Sequence, residues 1–126
     1  MIATYAMKID VRSPYIDESV LNEIRDFMGE EGDATIADLV SIYLTNTPKT
    51  IAKVGEDLKN DDMEALKAHI HALKGSNAGV GVVGISNLCK EIEECIRAGH
   101  SDGIYTRFEQ ILSVYSQVER EFRELL

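Results

Sequence analysis

Apolar residues recur along most of the chain at spacings of three and four, the signature of helices with one buried face, and period-two alternation is confined to residues 7–11. The pattern predicts helices almost throughout. Ser13-Pro14 and Thr47-Pro48 each read as an N-cap followed by proline at the first helical position, where the absent N–H leaves no bond unmade. A first helix is therefore expected over residues 14–27, ending at Gly29. A second begins near Asp33 and carries Ile36, Leu39, Val40, Tyr43 and Leu44. From Pro48 a further segment carries Ile51, Val54 and Leu58, as a new helix or a kinked continuation of the second, and stops at Asn60.

Asp61 with Glu64 three residues on has the pattern of a capping box, opening a helix whose buried line is Leu66, Ile70 and Leu73, with Met63 at its edge. This helix is expected to fray near Gly79 and Gly81. The next covers residues 82–98, packs Ile85, Leu88, Ile92, Cys95 and Ile96, and ends at Gly99. Ser101 then caps a last helix whose stripe Ile104, Phe108, Ile111, Tyr115, Val118, Phe122 and Leu125 spans roughly 37 Å. Short connections between amphipathic helices predict an all-α fold, an antiparallel up-and-down four-helix bundle with one or two additional short N-terminal helices. One domain over residues 13–126, preceded by an N-terminal extension over residues 1–12, accounts for the 126 residues. Met1 and the helical finish at Leu126 favour a free-standing protein over an excised domain, and stripes used up within one bundle favour a monomer.

Composition then narrows the partners. Thirteen Lys plus Arg against 22 Asp plus Glu give a net charge of −9, which repels phosphate backbones and anionic lipid. No stretch approaches the roughly 18 consecutive apolar residues of a membrane span, and the first 14 residues lack the apolar core of a secretory signal, so a cytoplasmic location is expected. Cys89 and Cys95 lie six apart on one helix, which suits neither a disulfide nor a zinc site, and they are expected to be buried, inert thiols. There is no Walker loop, no GxGxxG and no acidic metal cluster, so no intrinsic cofactor and no means of binding ATP or Mg²⁺ is evident.

Chemistry concentrates in residues 69–84, HIHALKGSNAGVGVVG. At 100° per residue from Leu66, Leu73 falls near about −20° and Ile70 near about 40°, whereas His71 falls near about 140°, away from the core. His69, near about −60°, sits at the border of the apolar face. The two imidazoles diverge too widely to share a metal, and no metal site is expected. On His71's side of the helix lie Lys67 one turn before, Lys74 three residues after, Gly75 one turn after and Ala78 seven after. Two lysines beside an exposed imidazole flanked by small residues make an accessible, cation-flanked nucleophile. Gly75 costs a helix interior on the order of 1 kcal/mol relative to Ala, and open space beside His71 is a reason for it.

The run His71-Ala72-Leu73-Lys74-Gly75-Ser76, with Val80-Gly81 and then Leu88-Cys89-Lys90-Glu91-Ile92-Glu93, resembles the histidine-containing phosphotransfer (HPt) domain family, from about Asp17 to the end of the chain. The resemblance implies that His71 is the phosphoacceptor, that Lys74 helps hold the phosphoryl group, and that Gly75 gives clearance to a partner. Glu93 matches the position where the family has a Gln or Glu that can hydrogen-bond the imidazole. It further implies receiver domains of response regulators or hybrid histidine kinases as partners, which bring the Mg²⁺ and dock around Lys67, His71, Gly75 and Ala78. In one respect the sequence departs from the family: residues 77–84 hold three glycines, Gly79, Gly81 and Gly84, where members commonly have one.

The function expected is a phosphorelay intermediate, a phosphocarrier rather than an enzyme, taking a phosphoryl group on His71 from a receiver aspartate and yielding it to another receiver. A neutral imidazole at cytosolic pH offers one ring nitrogen as nucleophile, and a carboxylate on the other fixes the tautomer. The alternative is a non-phosphorylated helical adaptor that binds and regulates a receiver or kinase. A bundle holding a metal or small cofactor lacks a ligand set.

Overall fold

The structure, a computed structural model, describes residues 13–126; the expected alternation at residues 7–11 and the extension over residues 1–12 lie outside the described residues. Five α-helices follow one another: α1 (Glu18–Met28), α2 (Gly32–Lys59), α3 (Met63–Gly79), α4 (Val83–Ala98) and α5 (Ser101–Arg123), with a 3₁₀ turn at Gly29–Glu31 between the first two. Helices α2 to α5 each pack on the next, and α5 returns to α2, so the four close into a ring; the shorter α1 lies against α2. This is the predicted all-α architecture, four long helices and one short N-terminal one. Leu21, Val40, Val54, Leu66, Ile70, Leu73, Ile85, Ile92, Ile111, Val118 and Phe122 are sealed at its centre.

Most of the expected stripes are the buried ones, and the differences lie at helix starts. Residues 13–17 are not helical. Instead the Ser13 hydroxyl accepts from the Tyr15 N–H at 3.1 Å, and α1 starts behind Asp17, whose carboxylate accepts from the Ser19 N–H at 3.1 Å. The backbone of this strap is spent elsewhere: the Asp17 N–H donates to the Gly81 carbonyl at 2.7 Å, and the Gly84 N–H to the Tyr15 carbonyl at 3.0 Å. Thr47-Pro48 is no helix start either, because α2 runs through Pro48 without a break. Proline inside a helix costs about 3 kcal/mol. Here one stripe of Ile36, Val40, Tyr43 and Leu44 before it and Ile51, Val54 and Leu58 after it is buried on both sides, which outweighs that cost.

The cap of α3 is Asp62, one residue later than the capping-box pattern places it; its carboxylate accepts from the Ala65 N–H at 3.1 Å, while Asp61 turns the chain at a φ of 52°. At the start of α5, Ser101 is already helical and His100 occupies the cap position with no side-chain bond. The tight exit of α4 explains the shift: Gly99 is left-handed, and the His100 N–H reaches back to the Cys95 carbonyl at 2.9 Å. Of the two cysteines, Cys89 is sealed as expected, but Cys95 is only partly buried, its sulfur set against Gly103.

Two of the three glycines after Asn77, Gly81 and Gly84, acquire a reason in this frame, whereas a β-carbon at Gly79 would meet nothing within 4 Å. Gly81 has a φ of 81°, and a β-carbon there would run into the Asp17 carbonyl; one at Gly84 would run into the Tyr15 side chain. They let the N-terminal strap seal the turn between α3 and α4. That turn is further pinned by Asn77, which is fully buried, accepts from the Tyr43 hydroxyl at 2.6 Å, donates to the Leu73 carbonyl at 2.8 Å, and takes the Val82 N–H on its backbone carbonyl at 2.8 Å. The junction is tightly bonded, and it fixes how α4 lies against α3.

Candidate functional site

Because the junction fixes α4 beside α3, residues 22 positions apart in sequence meet. His71 projects from the outer face of α3 with its side chain 74% exposed, and its Nδ1 lies 3.3 Å from Glu93 Oε2 on α4. The other carboxylate oxygen of Glu93 accepts from the Lys74 ammonium at 2.7 Å. Glu93 itself is largely covered, with 20% of its side chain exposed. The hydrogen bond from Lys74 holds the Glu93 carboxyl below the usual carboxylate range; burial pushes the other way, and the bond from His71 adds to the lowering.

An ionised carboxylate can only accept, so the proton between the two groups sits on Nδ1 of His71. In the neutral ring the lone pair then belongs to Nε2. The carboxylate thus selects the tautomer, and it is in turn held by Lys74 from the same helix as the histidine. Beneath it lies Cys89, whose thiol is pushed up to about 12, chiefly by burial and secondly by the Glu93 charge, so it stays a protonated, inert packing group.

The predicted neighbours fall into place around this pair. Lys67, His71, Lys74 and Glu93 line one concavity of about 250 Å³ together with Ile96 and Arg97. Gly75 and Ala78 are exposed on the same open face of α3, and a β-carbon at Gly75 would meet nothing within 4 Å. Arg97 was not among the residues the sequence singled out; it stands one turn after Glu93 on α4, and helical spacing from Glu93 was the available signal.

His69 is placed apart, at the border of the apolar face as the helical wheel sets it, with its side chain 33% exposed. Its Nδ1 lies 2.5 Å from Asp57 Oδ2 on α2, and Asp57 is buried. This bond ties α3 to the end of α2, and nothing brings His69 and His71 to a common ligand. Among the described residues, no group of three or more His, Cys, Asp or Glu is placed to hold a metal ion, and no helix is long and apolar enough to cross a membrane.

Comparison with known proteins decides what this arrangement belongs to. A family profile described as the Hpt domain matches residues 38–121, which include α3, α4 and both partners of the His71–Glu93 contact. The chain belongs to the Hpt domain family. Among curated proteins, this Hpt domain is 23% identical over 111 residues to histidine-containing phosphotransfer protein 5 of Arabidopsis thaliana, covering 86% of this chain and 71% of that one. It is 32% identical over 81 residues to the phosphorelay intermediate protein YPD1 of Candida albicans, covering 64% of this chain and 44% of that one. It is 31% identical over 90 residues to the signal transduction histidine-protein kinase BarA of Escherichia coli, covering 71% of this chain but 10% of the kinase. Among solved structures, histidine-containing phosphotransfer protein B from Pseudomonas aeruginosa superposes with a TM-score of 0.78 at 24% identity, over 89% of this chain and 94% of that one. ZmHP2 from maize superposes with a TM-score of 0.79 at 20% identity, over 91% of this chain and 85% of that one. These likenesses speak for the fold; the site rests on its own geometry.

Proposed function

We propose that this Hpt domain is a phosphorelay intermediate of two-component signalling, in which His71 accepts a phosphoryl group from the aspartate of one receiver domain and yields it to another. The observation that carries the reading is the His71–Glu93 pair: a 74% exposed imidazole whose Nδ1 is engaged at 3.3 Å by a lysine-held carboxylate, which assigns the lone pair of the neutral ring to Nε2. In the transfer, the Nε2 lone pair forms the N–P bond while the acyl O–P bond of the receiver breaks and its carboxylate leaves with the electron pair. The Nδ1 proton stays on the ring, where the imidazolium that results is met by Glu93. Reversal follows the same path, and weak holding by exposed cations suits a group that must leave again.

The domain supplies a positioned nucleophile, and the charge stabilisation of the transfer comes with the receiver and its Mg²⁺. Docking uses the open face of α3, where Gly75 and Ala78 present no bulk, with Lys67 at its edge. Beside it, a groove of about 260 Å³ between α2 and α3 offers the apolar contact: Leu39, Ile42 and Val80 line it, and Ala72 and Ser76, the chain neighbours of His71 and Gly75, form its α3 wall. Ile42, 56% exposed, stands open to such a contact.

The test is to mix the protein with phosphorylated receivers and follow the label. Label on wild type that is lost in acid, survives alkali and disappears in His71→Gln is expected. Label persisting in His71→Gln excludes the assigned nitrogen, and binding to receivers without any label favours an adaptor.

A further inference from the structure

At the α3–α4 junction, Asn77 has no exposed surface, and its amide has two ends with different work. The Leu73 carbonyl can only accept, so the amide nitrogen faces it, at 2.8 Å, and the amide oxygen takes the Tyr43 hydroxyl at 2.6 Å. Burial, above all, pushes the Tyr43 phenol well above its ordinary range, so it remains a donor. The backbone carbonyl of Asn77 accepts from the Val82 N–H at 2.8 Å, at the cap of α4. One residue therefore ties α2, α3 and the start of α4 together, and the peptide it grips within α3 is the one that leads into Lys74.

The distance that this grip governs is a marginal one. His71 Nδ1 and Glu93 Oε2 are 3.3 Å apart, just past the usual range of about 2.7–3.2 Å for an N–H···O bond. Glu93 stands eleven residues beyond Val82, an arm of about 16 Å, over which a tilt of about 4° at the start of α4 moves the carboxylate by about 1 Å. Such a tilt would spare the Lys74–Glu93 pair, because an ammonium on a flexible stem follows the carboxylate, whereas the shorter imidazole does not.

We propose that Asn77 is a positioning residue for the nucleophile: it holds α4 at the angle that keeps Glu93 within reach of Nδ1, and so sets which nitrogen of His71 carries the lone pair. Its consequence for transfer rests on the phosphocarrier reading. The ordinary alternative is that Asn77 only satisfies buried polar groups and stabilises the turn. In that case a variant loses stability while the His71 ring keeps its tautomer.

The experiment records the ¹⁵N resonances of the His71 ring in the full chain, at a pH where the ring is neutral, to give the ratio of Nδ1–H to Nε2–H forms. It then follows phosphorylation of His71 by phosphoramidate, a small-molecule donor that needs no docking. The proteins compared are wild type, Asn77→Ala, Tyr43→Phe, Glu93→Ala as the reference for a ring without its carboxylate, and Val54→Ala, a sealed core position eleven residues along α2 from Tyr43. Wild type is expected to favour the Nδ1–H form by about tenfold, the scale of a hydrogen bond to a charged group, and Glu93→Ala to lose that excess. Asn77→Ala and, less strongly, Tyr43→Phe are expected to lower the ratio by about threefold or more and to slow phosphorylation with it. Val54→Ala should melt earlier and keep the wild-type ratio. Wild-type ratios in both Asn77→Ala and Tyr43→Phe, an equal fall in Val54→Ala, or a wild type without the Nδ1–H excess would each overturn the proposal. Should Asn77→Ala not fold, Tyr43→Phe, which loses only a hydroxyl, decides alone. A phosphohistidine signal that is absent from wild type or survives in His71→Gln would count against the carrier reading, and the tautomer ratios would still judge Asn77.

Discussion

At the scale of residues, Glu93 is where geometry and electrostatics meet, because one carboxylate orders both the nucleophile and the nearest lysine. A carboxyl held below its unfolded pKa stabilises the fold at pH values above the unfolded pKa, and that contribution is lost as pH falls through the lowered value. Glu93→Gln is therefore expected to cost up to about 1 kcal/mol at neutral pH, and the gap to wild type should close in acid. Urea unfolding of both proteins over an acid-to-neutral series checks this; a gap independent of pH would mean that Glu93 acts by packing alone. In transfer assays the same substitution should slow labelling of His71, since a neutral amide steadies the imidazolium less.

His71, Lys74 and Gly75 were legible in the sequence because their message is local: six adjacent residues fix the motif and one helical turn fixes which way it faces. Glu93 was legible only through the family resemblance, since three glutamates lie within four residues and periodicity alone does not choose among them. Asp57 and Asn77 were not legible at all. Each is a buried polar side chain whose partner, His69 or Tyr43, lies 12 or 34 residues away, and only the packing of α2 against α3 brings them together.

At the scale of elements, buried stripes were readable and helix starts were not, for one physical reason. A stripe is repeated every turn, so several residues vote for it, whereas a cap is a single hydrogen bond that tertiary contacts can relocate. Asp17 rather than Ser13 caps α1 because the strap between them bonds to the α3–α4 turn. Gly81 and Gly84 belong to that same contact, and Gly75 does not, which gives the glycines opposite responses to substitution. Gly75→Ala meets open space in a helix interior and should raise stability by up to about 1 kcal/mol. Gly81→Ala places a β-carbon on the Asp17 carbonyl at a positive φ and should cost at least about 1–3 kcal/mol. Thermal melts distinguish the two directions. Larger residues at Gly75 should leave the melt nearly unchanged yet slow transfer from receivers, if the open side of α3 is the docking face as proposed.

At the scale of the whole molecule, the site is built on the outside of a closed ring of helices whose core it does not enter. His71 touches the fold through Glu93 and the backbone of α3, while Leu66, Ile70 and Leu73 on the opposite side of the same helix carry the packing. Adding a phosphoryl group to His71 is therefore expected to change the charge of one exposed concavity and to leave the buried interfaces as they are. On the proposed function, a partner would read the state of the carrier as local charge rather than as a change of shape. Phosphorylated and unphosphorylated protein are accordingly expected to differ in unfolding free energy by less than about 1 kcal/mol, the scale of exposed ion pairs, with superimposable far-ultraviolet circular dichroism. Urea denaturation at alkaline pH, where a phosphoramidate survives, measures this directly. A shift of several kcal/mol, or a loss of helical signal on phosphorylation, would show that the charge propagates into the α3–α4 junction through Glu93, and the domain would then be a conformational switch rather than a rigid carrier.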